Sequence, residues 1–173
     1  KIFYCPNPAH KFNLDKIKEY NHNIKFRDGF NYLYAGNFGK MQSLELLISA
    51  ANRHYNNKNR KVYFNFVGDG NIKKKLKLII ESNKIKNVFL YDRVSQDEMK
   101  FLYDQSDVLI LPLEKNSIIS KTIPGKLQTY MSVSKPILCF ADGISKKIVN
   151  EAKCGYICDV DNEIKLIEIF KKF

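Results

Sequence analysis

Short apolar runs along this chain alternate with segments whose apolar residues recur every three or four positions. The run YLYAGN (32–37) reads as a buried strand, after which Leu44, Leu47, Ile48 and Ala51 fall on one helical face. VYFNFVGDG (62–70) is a second strand ending in a glycine turn. Ile72, Leu76, Ile79 and Ile80 then mark the inner face of a helix. NVFLYD (87–92) is a third strand. It is followed by SQDE (95–98), where Ser95 and Glu98 form a capping box and Val94 and Met99 a hydrophobic staple. DVLILPL (107–113) is apolar throughout, as expected of a strand covered on both faces. KPILCF (135–140) and GYIC (155–158) are strands five and six. Ile144, Ile148, Val149 and Ala152 outline one further helix, and Ile164, Ile167 and Phe170 the last.

Strands alternating with helices of this length predict an α/β fold. The expected form is a Rossmann-like parallel sheet of about six strands with helices on both faces, its ligand at the carboxyl ends of the strands. Residues 1–30, with YCPNPAH near their start, read as a connector, and 31–173 as the folded domain. The chain starts at Lys1 without Met, so it is expected to be part of a longer protein.

Three loops at the expected carboxyl edge carry the candidate chemistry. GNFGK (36–40) offers Gly36 and Gly39 for close backbone approach, a helix start and Lys40, a combination suited to phosphate. It is not a Walker A loop, because two residues separate the glycines and Met41 stands where Ser or Thr would hold magnesium. DRVSQ (92–96) follows strand three. SKTIPGK (120–126) places Pro124 at a first-turn position, leaves the backbone open at Gly125 and adds charge at Lys126. Together these loops predict a pocket with at least two lysines for a diphosphate. Asp69 and Asp92 also end strands there, but they do not form the clustered acidic set of a metal site, so no metal is expected.

Composition narrows the class. Lys and Arg number 29 against 18 Asp and Glu, a net charge of +11, with 45% hydrophobic residues, as in a globular protein. The densest basic cluster, KKKLK (73–77), lies on a helix whose apolar spacing turns the lysines mainly to solvent. Peripheral attraction to an anionic membrane is the secondary reading of this charge. The aromatic residues lie in strands and apolar faces rather than among the lysines, which argues against nucleic acid as partner. No apolar run approaches the roughly 20 residues that span a bilayer. Cys5, Cys139, Cys154 and Cys158 lack metal-ligand spacing and read as reduced thiols, Cys139 as a small buried hydrophobe. His10, His22 and His54 read as surface histidines.

Four segments carry a resemblance: YAGNFGKMQSLELLISAA, FNFVGDGNIKKKLK, YDRVSQDEMKFLYDQSDVLILPL and TIPGKLQTYMSVSKPIL. In this order they resemble the carboxyl-terminal half of GT-B glycosyltransferases, particularly family-four enzymes that build capsule, lipopolysaccharide O-antigen and other exopolysaccharides. The resemblance implies a nucleoside diphosphate sugar donor, a UDP-sugar first, bound by this half. A saccharide or lipid-linked acceptor would be held by an amino-terminal half. It further implies retention of configuration, no cofactor, and a cytoplasmic enzyme, peripheral at the inner face of the membrane in one variant of the reading. Lys40 and Lys126 would stabilise the leaving diphosphate. Gly36, Asn37, Gly39, Gly68, Gly70, Arg93, Val94, Lys121, Thr122, Pro124, Gly125 and Thr129 would contact the donor. Of these, Val94 would recognise the base through its backbone, and Gly125 would present an amide to the distal phosphate. The sequence departs from the family pattern at Asn37, where an arginine is common, and at Lys121 and Thr129, which replace two glutamates. This half alone would be inactive. Two alternatives stay open: a non-catalytic nucleotide-sugar binding module, and a GT-B sugar epimerase.

Overall fold

The computed structural model describes residues 8–9, 24–55, 60–113 and 119–173. Six strands form one parallel sheet: β1 (Phe30–Asn37), β2 (Val62–Asp69), β3 (Val88–Tyr91), β4 (Val108–Pro112), β5 (Ile137–Phe140) and β6 (Gly155–Cys158), in the order β3-β2-β1-β4-β5-β6. The helices are α1 (Leu44–Tyr55), α2 (Lys73–Ser82), α3 (Gln96–Gln105), α4 (Gly125–Ser132), α5 (Ile144–Glu151) and α6 (Glu163–Phe170). This is the expected Rossmann-like architecture, with each strand within about two residues of its predicted position.

Alternation along the strands sorts two cores. Tyr32, Tyr34, Phe64 and Phe66 face α1, α2 and α6, where Leu47, Leu76 and Phe170 pack against them. Leu33, Ala35, Leu109 and Leu111 face α3, α4 and α5, meeting Leu102, Tyr130 and Val149. Period-two alternation is what delivers residues to both faces. β4 is buried at all five positions, matching its unbroken apolar run. Tyr32 stacks on Phe64 at 4.7 Å, and Phe170 meets Phe64 at 4.8 Å.

His54 corrects the expectation of a surface histidine. It is only 7% exposed, edge-on to Phe64 and Phe170. The reason is that α6 closes over the last turn of α1. His54 lies three residues beyond Ala51 on the face already marked as apolar, and that spacing was the available signal. Cys139 is fully buried, as expected of a small hydrophobe, and Cys139, Cys154 and Cys158 are all free thiols. Cys5, His10 and His22 lie outside the described residues, as does most of the expected connector. The described part of the connector packs on the domain: Phe26 is buried and its N–H donates to Gln105 Oε1 at 2.9 Å. Among the described residues, no helix is long and apolar enough to cross a membrane.

Candidate functional site

The strand order reverses between β1 and β4, the point where parallel α/β sheets open a crevice. Pairing there covers only Tyr32 with Val108 and Leu33 with Leu109. Beyond Leu33 the strands part, and a side chain satisfies the Ala35 amide: its N–H donates to the Tyr130 hydroxyl at 3.2 Å. Tyr130 thereby ties α4 to the end of β1, and its ring meets Tyr103 of α3 edge-on at 5.8 Å. Burial raises the Tyr103 phenol to about 12, so it stays neutral near pH 7.

A cleft of about 410 Å³ opens on this edge, within the size range of small-molecule sites. Ala35 and Val67 belong to its lining, as do Val94, Met99 and Tyr103. Its polar residues are Asn37, Asp69, Arg93, Ser95 and Gln96. Gly36 and Gly68 lie opposite each other in the β1–β2 register and line the cleft too. A Cβ on Gly68 would strike the Gly36 carbonyl oxygen, and one on Gly36 would fall on the Lys126 amine. Both glycines also hold positive φ, 148° and 152°. These two positions let backbone come to the cleft surface without a side chain in between.

The Lys126 ammonium therefore sits against the backbone at the end of β1, although it comes from α4. Its Nζ lies 4.2 Å from the centre of the Tyr34 ring, a cation–π contact. No carboxylate pairs with it among the described residues. Part of the side chain stays accessible, yet the amine is set among protein atoms, and this desolvation lowers its pKa to about 8. An unpaired, desolvated cation beside a cleft is arranged to receive an anion.

Lys40 is exposed on the same edge, opening a short 3-10 turn, Lys40–Gln42, that follows β1. The Gly39 amide is already taken, donating to Gln42 Oε1 at 3.0 Å. Gly70 is similarly engaged: its N–H donates to Asp69 Oδ1 at 2.8 Å, and a Cβ added there would strike the Phe38 backbone. These two glycines shape turns, and neither lines the cleft.

At the start of α3 the capping box forms as expected. The Glu98 N–H donates to Ser95 Oγ at 3.2 Å, and the Ser95 N–H donates to Glu98 Oε2 at 2.9 Å. The box fixes the turn that brings Arg93 and Val94 into the cleft. The third loop reaches the site chiefly through Lys126. Pro124 is the cap residue, one place before the expected first turn, and α4 begins at Gly125. Gly125 faces open space, Lys121 and Thr122 are exposed, and Thr129 Oγ1 donates to the Gly125 carbonyl at 3.3 Å.

The structure adds Lys73, which the helical pattern had assigned to the solvent-facing cluster. Its Nζ donates to Asp92 Oδ1 at 2.5 Å and to the Gly68 carbonyl at 3.3 Å, and lies 3.7 Å from Asp69 Oδ1. As the first residue of α2 it projects back over the strand ends rather than outward. Tyr34, Gln42 and Tyr130 likewise join the site, and none of them was singled out by the sequence. Among the described residues, no three His, Cys, Asp or Glu side chains group to hold a metal ion.

A cleft with glycine-lined strand ends, an amine without a carboxylate partner among the described residues, and an adjacent helix start can bind a phosphate-bearing ligand. Comparison with known proteins gives this geometry a family. The Pseudomonas aeruginosa protein named "Probable glycosyltransferase WbjE" is 25% identical over 140 residues, covering 80% of this chain and 34% of its own length. The chain thus spans about a third of that relative. The S. aureus TarM structure in complex with fondaparinux, alpha-GlcNAc-glycerol and UDP superposes with a TM-score of 0.67 at 18% identity, covering 88% of this chain and 30% of TarM. The C-terminal domain of a glycosyl transferase group 1 family protein (LpcC) from Francisella tularensis gives 0.67 at 13% identity, covering 83% and 74%. These likenesses show the fold, that of GT-B glycosyltransferase domains. The model of the family described as glycosyl transferases group 1 matches residues 15–173, and the chain belongs to that family.

Proposed function

We propose that this chain is the donor-binding half of a glycosyltransferase, and that the cleft at the β1–β4 divergence holds a nucleoside diphosphate sugar. The observation that carries this reading is the Lys126 amine, brought from α4 to the end of β1 and, among the described residues, without a carboxylate partner. UDP is the first nucleotide to consider, since the TarM structure contains it. The likeness to an isolated C-terminal domain supports the assignment to the carboxyl-terminal half.

Breaking the anomeric carbon–oxygen bond leaves the electron pair, and hence negative charge, on the diphosphate. Lys126 lies where it can meet that charge, with Lys40 on the same edge and the α4 amide end beside it. Cations already in place lower the barrier because no reorganisation is needed as charge develops. Val94 and Arg93, held by the Ser95 box, occupy the part of the cleft left for the nucleoside. The two carboxylates at the strand ends are engaged by Lys73, so the reading assigns leaving-group stabilisation to lysines rather than to a metal held by this chain. The acceptor, a saccharide or a lipid-linked saccharide of a surface polysaccharide, would be held outside these residues. Retention of configuration belongs to the same proposal.

Titration of the chain with UDP, UDP-sugars and free uridine tests it. UDP and at least one UDP-sugar are expected to bind, and Lys126→Ala to weaken both while sparing uridine. In the whole enzyme the same substitution is expected to raise the barrier by about 2.7–4 kcal/mol, the usual cost of removing one such donor. Equal binding of UDP by the wild-type chain and Lys126→Ala would refute the assignment.

A further inference from the structure

Two carboxylates stand on the edge where the donor reading places an anion. Asp69 is the last residue of β2 and lines the cleft, and Asp92 follows β3 directly, next to Arg93, which also lines it. Side by side with a diphosphate, they would oppose its binding. Lys73 engages both, and also reaches the Gly68 carbonyl in the strand end beside the cleft. The hydrogen bond and charge of Lys73 hold the Asp92 carboxyl below its ordinary value.

Exposure argues that this arrangement contributes little to folding. The Asp92 side chain is 93% exposed and that of Asp69 68%, against 26% for Lys73. Exposed ion pairs of this kind add little to stability. What the arrangement does change is the electrostatic potential at the cleft. One half-buried ammonium gathers two carboxylates to one point and leaves Arg93 as the cation lining the cleft, with the Lys126 amine against Gly36 at its border.

We propose that Lys73 is a positioning residue of the cleft, which holds Asp69 and Asp92 aside so that the site stays positive for a diphosphate. This rests on the donor-binding reading above. Lys73 does not touch the ligand; it acts through the carboxylates. Its loss would release Asp92 and leave Asp69, still accepting from the Gly70 N–H, without its counter-charge beside the anion.

The test uses the whole 173-residue chain. Dissociation constants for UDP, inorganic pyrophosphate and uridine are measured for the wild type, Lys73→Gln, and Lys73→Gln combined with Asp69→Asn and Asp92→Asn. In low salt, Lys73→Gln is expected to weaken UDP and pyrophosphate by about tenfold, the scale of one partly screened charge a few ångströms away, with uridine unchanged. The combined variant is expected to recover to within about twofold, and the loss to shrink as salt rises. Charge neutralisation would not rescue a merely structural lysine, so failure of the rescue, or equal weakening of uridine, overturns the proposal. Unchanged binding by Lys73→Gln, with a wild type that binds UDP, overturns it alone. A wild type that binds neither UDP nor pyrophosphate overturns it together with the donor reading.

Discussion

The Lys126 amine makes the donor reading depend on pH in a way that can be worked out beforehand. In the free chain its pKa is lowered to about 8 because burial disfavours the ammonium. A diphosphate placed beside it supplies the missing partner and raises the pKa, so binding takes up a proton above pH 8. With a pKa near 8, about 90% of the amine is charged at pH 7 and about 10% at pH 9. Where only the ammonium form binds, affinity falls about tenfold between those two values, or about 1.4 kcal/mol. Calorimetric titration with UDP at pH 7 and 9, in buffers of different ionisation enthalpy, reads both the affinity and the proton uptake. Lys126→Ala is expected to bind more weakly at pH 7 and to lose most of the pH dependence. An unchanged affinity across this range in the wild type refutes the reasoning, as does a Lys126→Ala variant that keeps the wild-type profile.

Three further outcomes follow from the packing. Tyr130→Phe leaves the buried Ala35 amide without its acceptor and is expected to lower stability by about 1–3 kcal/mol, read by urea unfolding. No change would mean that the amide finds another partner. Gly68→Ala forces a side chain onto the Gly36 carbonyl at a positive φ, with an expected cost of at least about 1–3 kcal/mol. A folded variant with normal UDP affinity would contradict the role given to this glycine. His54 is buried neutral, its pKa lowered by desolvation and then by Lys171. The unfolded chain therefore binds more protons than the fold as pH drops. Stability is full above about pH 6.5 and declines below it, until the folded-state pKa is passed. His54→Phe is expected to flatten this decline relative to wild type in melts between about pH 5 and 7.

Most of the fold was legible because its signals are local and repeated. An apolar run such as 107–113 can only be buried on both faces, and the SQDE box marks the start of α3 to within one residue. Less of the site was legible. Gly36, Asn37, Gly68, Arg93 and Val94 line the cleft, and their position at strand ends was enough to indicate that. The reach of Lys126 across to Gly36 depends on α4 docking through Tyr130, a contact 95 residues apart in sequence that no local pattern encodes. Lys73 was hidden because it stands first in a run of lysines whose other members do face solvent. Helix direction, not composition, sends it back over the strand ends. His54 shows the opposite error: a polar residue at a helix end was read as exposed, although its spacing from Ala51 placed it on the buried face.

The most direct test follows backbone amide signals of the chain by NMR during titration with UDP-sugars. The account predicts changes concentrated at Gly36, Asn37, Gly68, Val94, Ser95 and Lys126, with Tyr156 and its neighbours at the opposite edge of the sheet unaffected. Absence of binding by any nucleoside diphosphate or its sugar at millimolar concentration, or changes concentrated at that opposite edge, would contradict it.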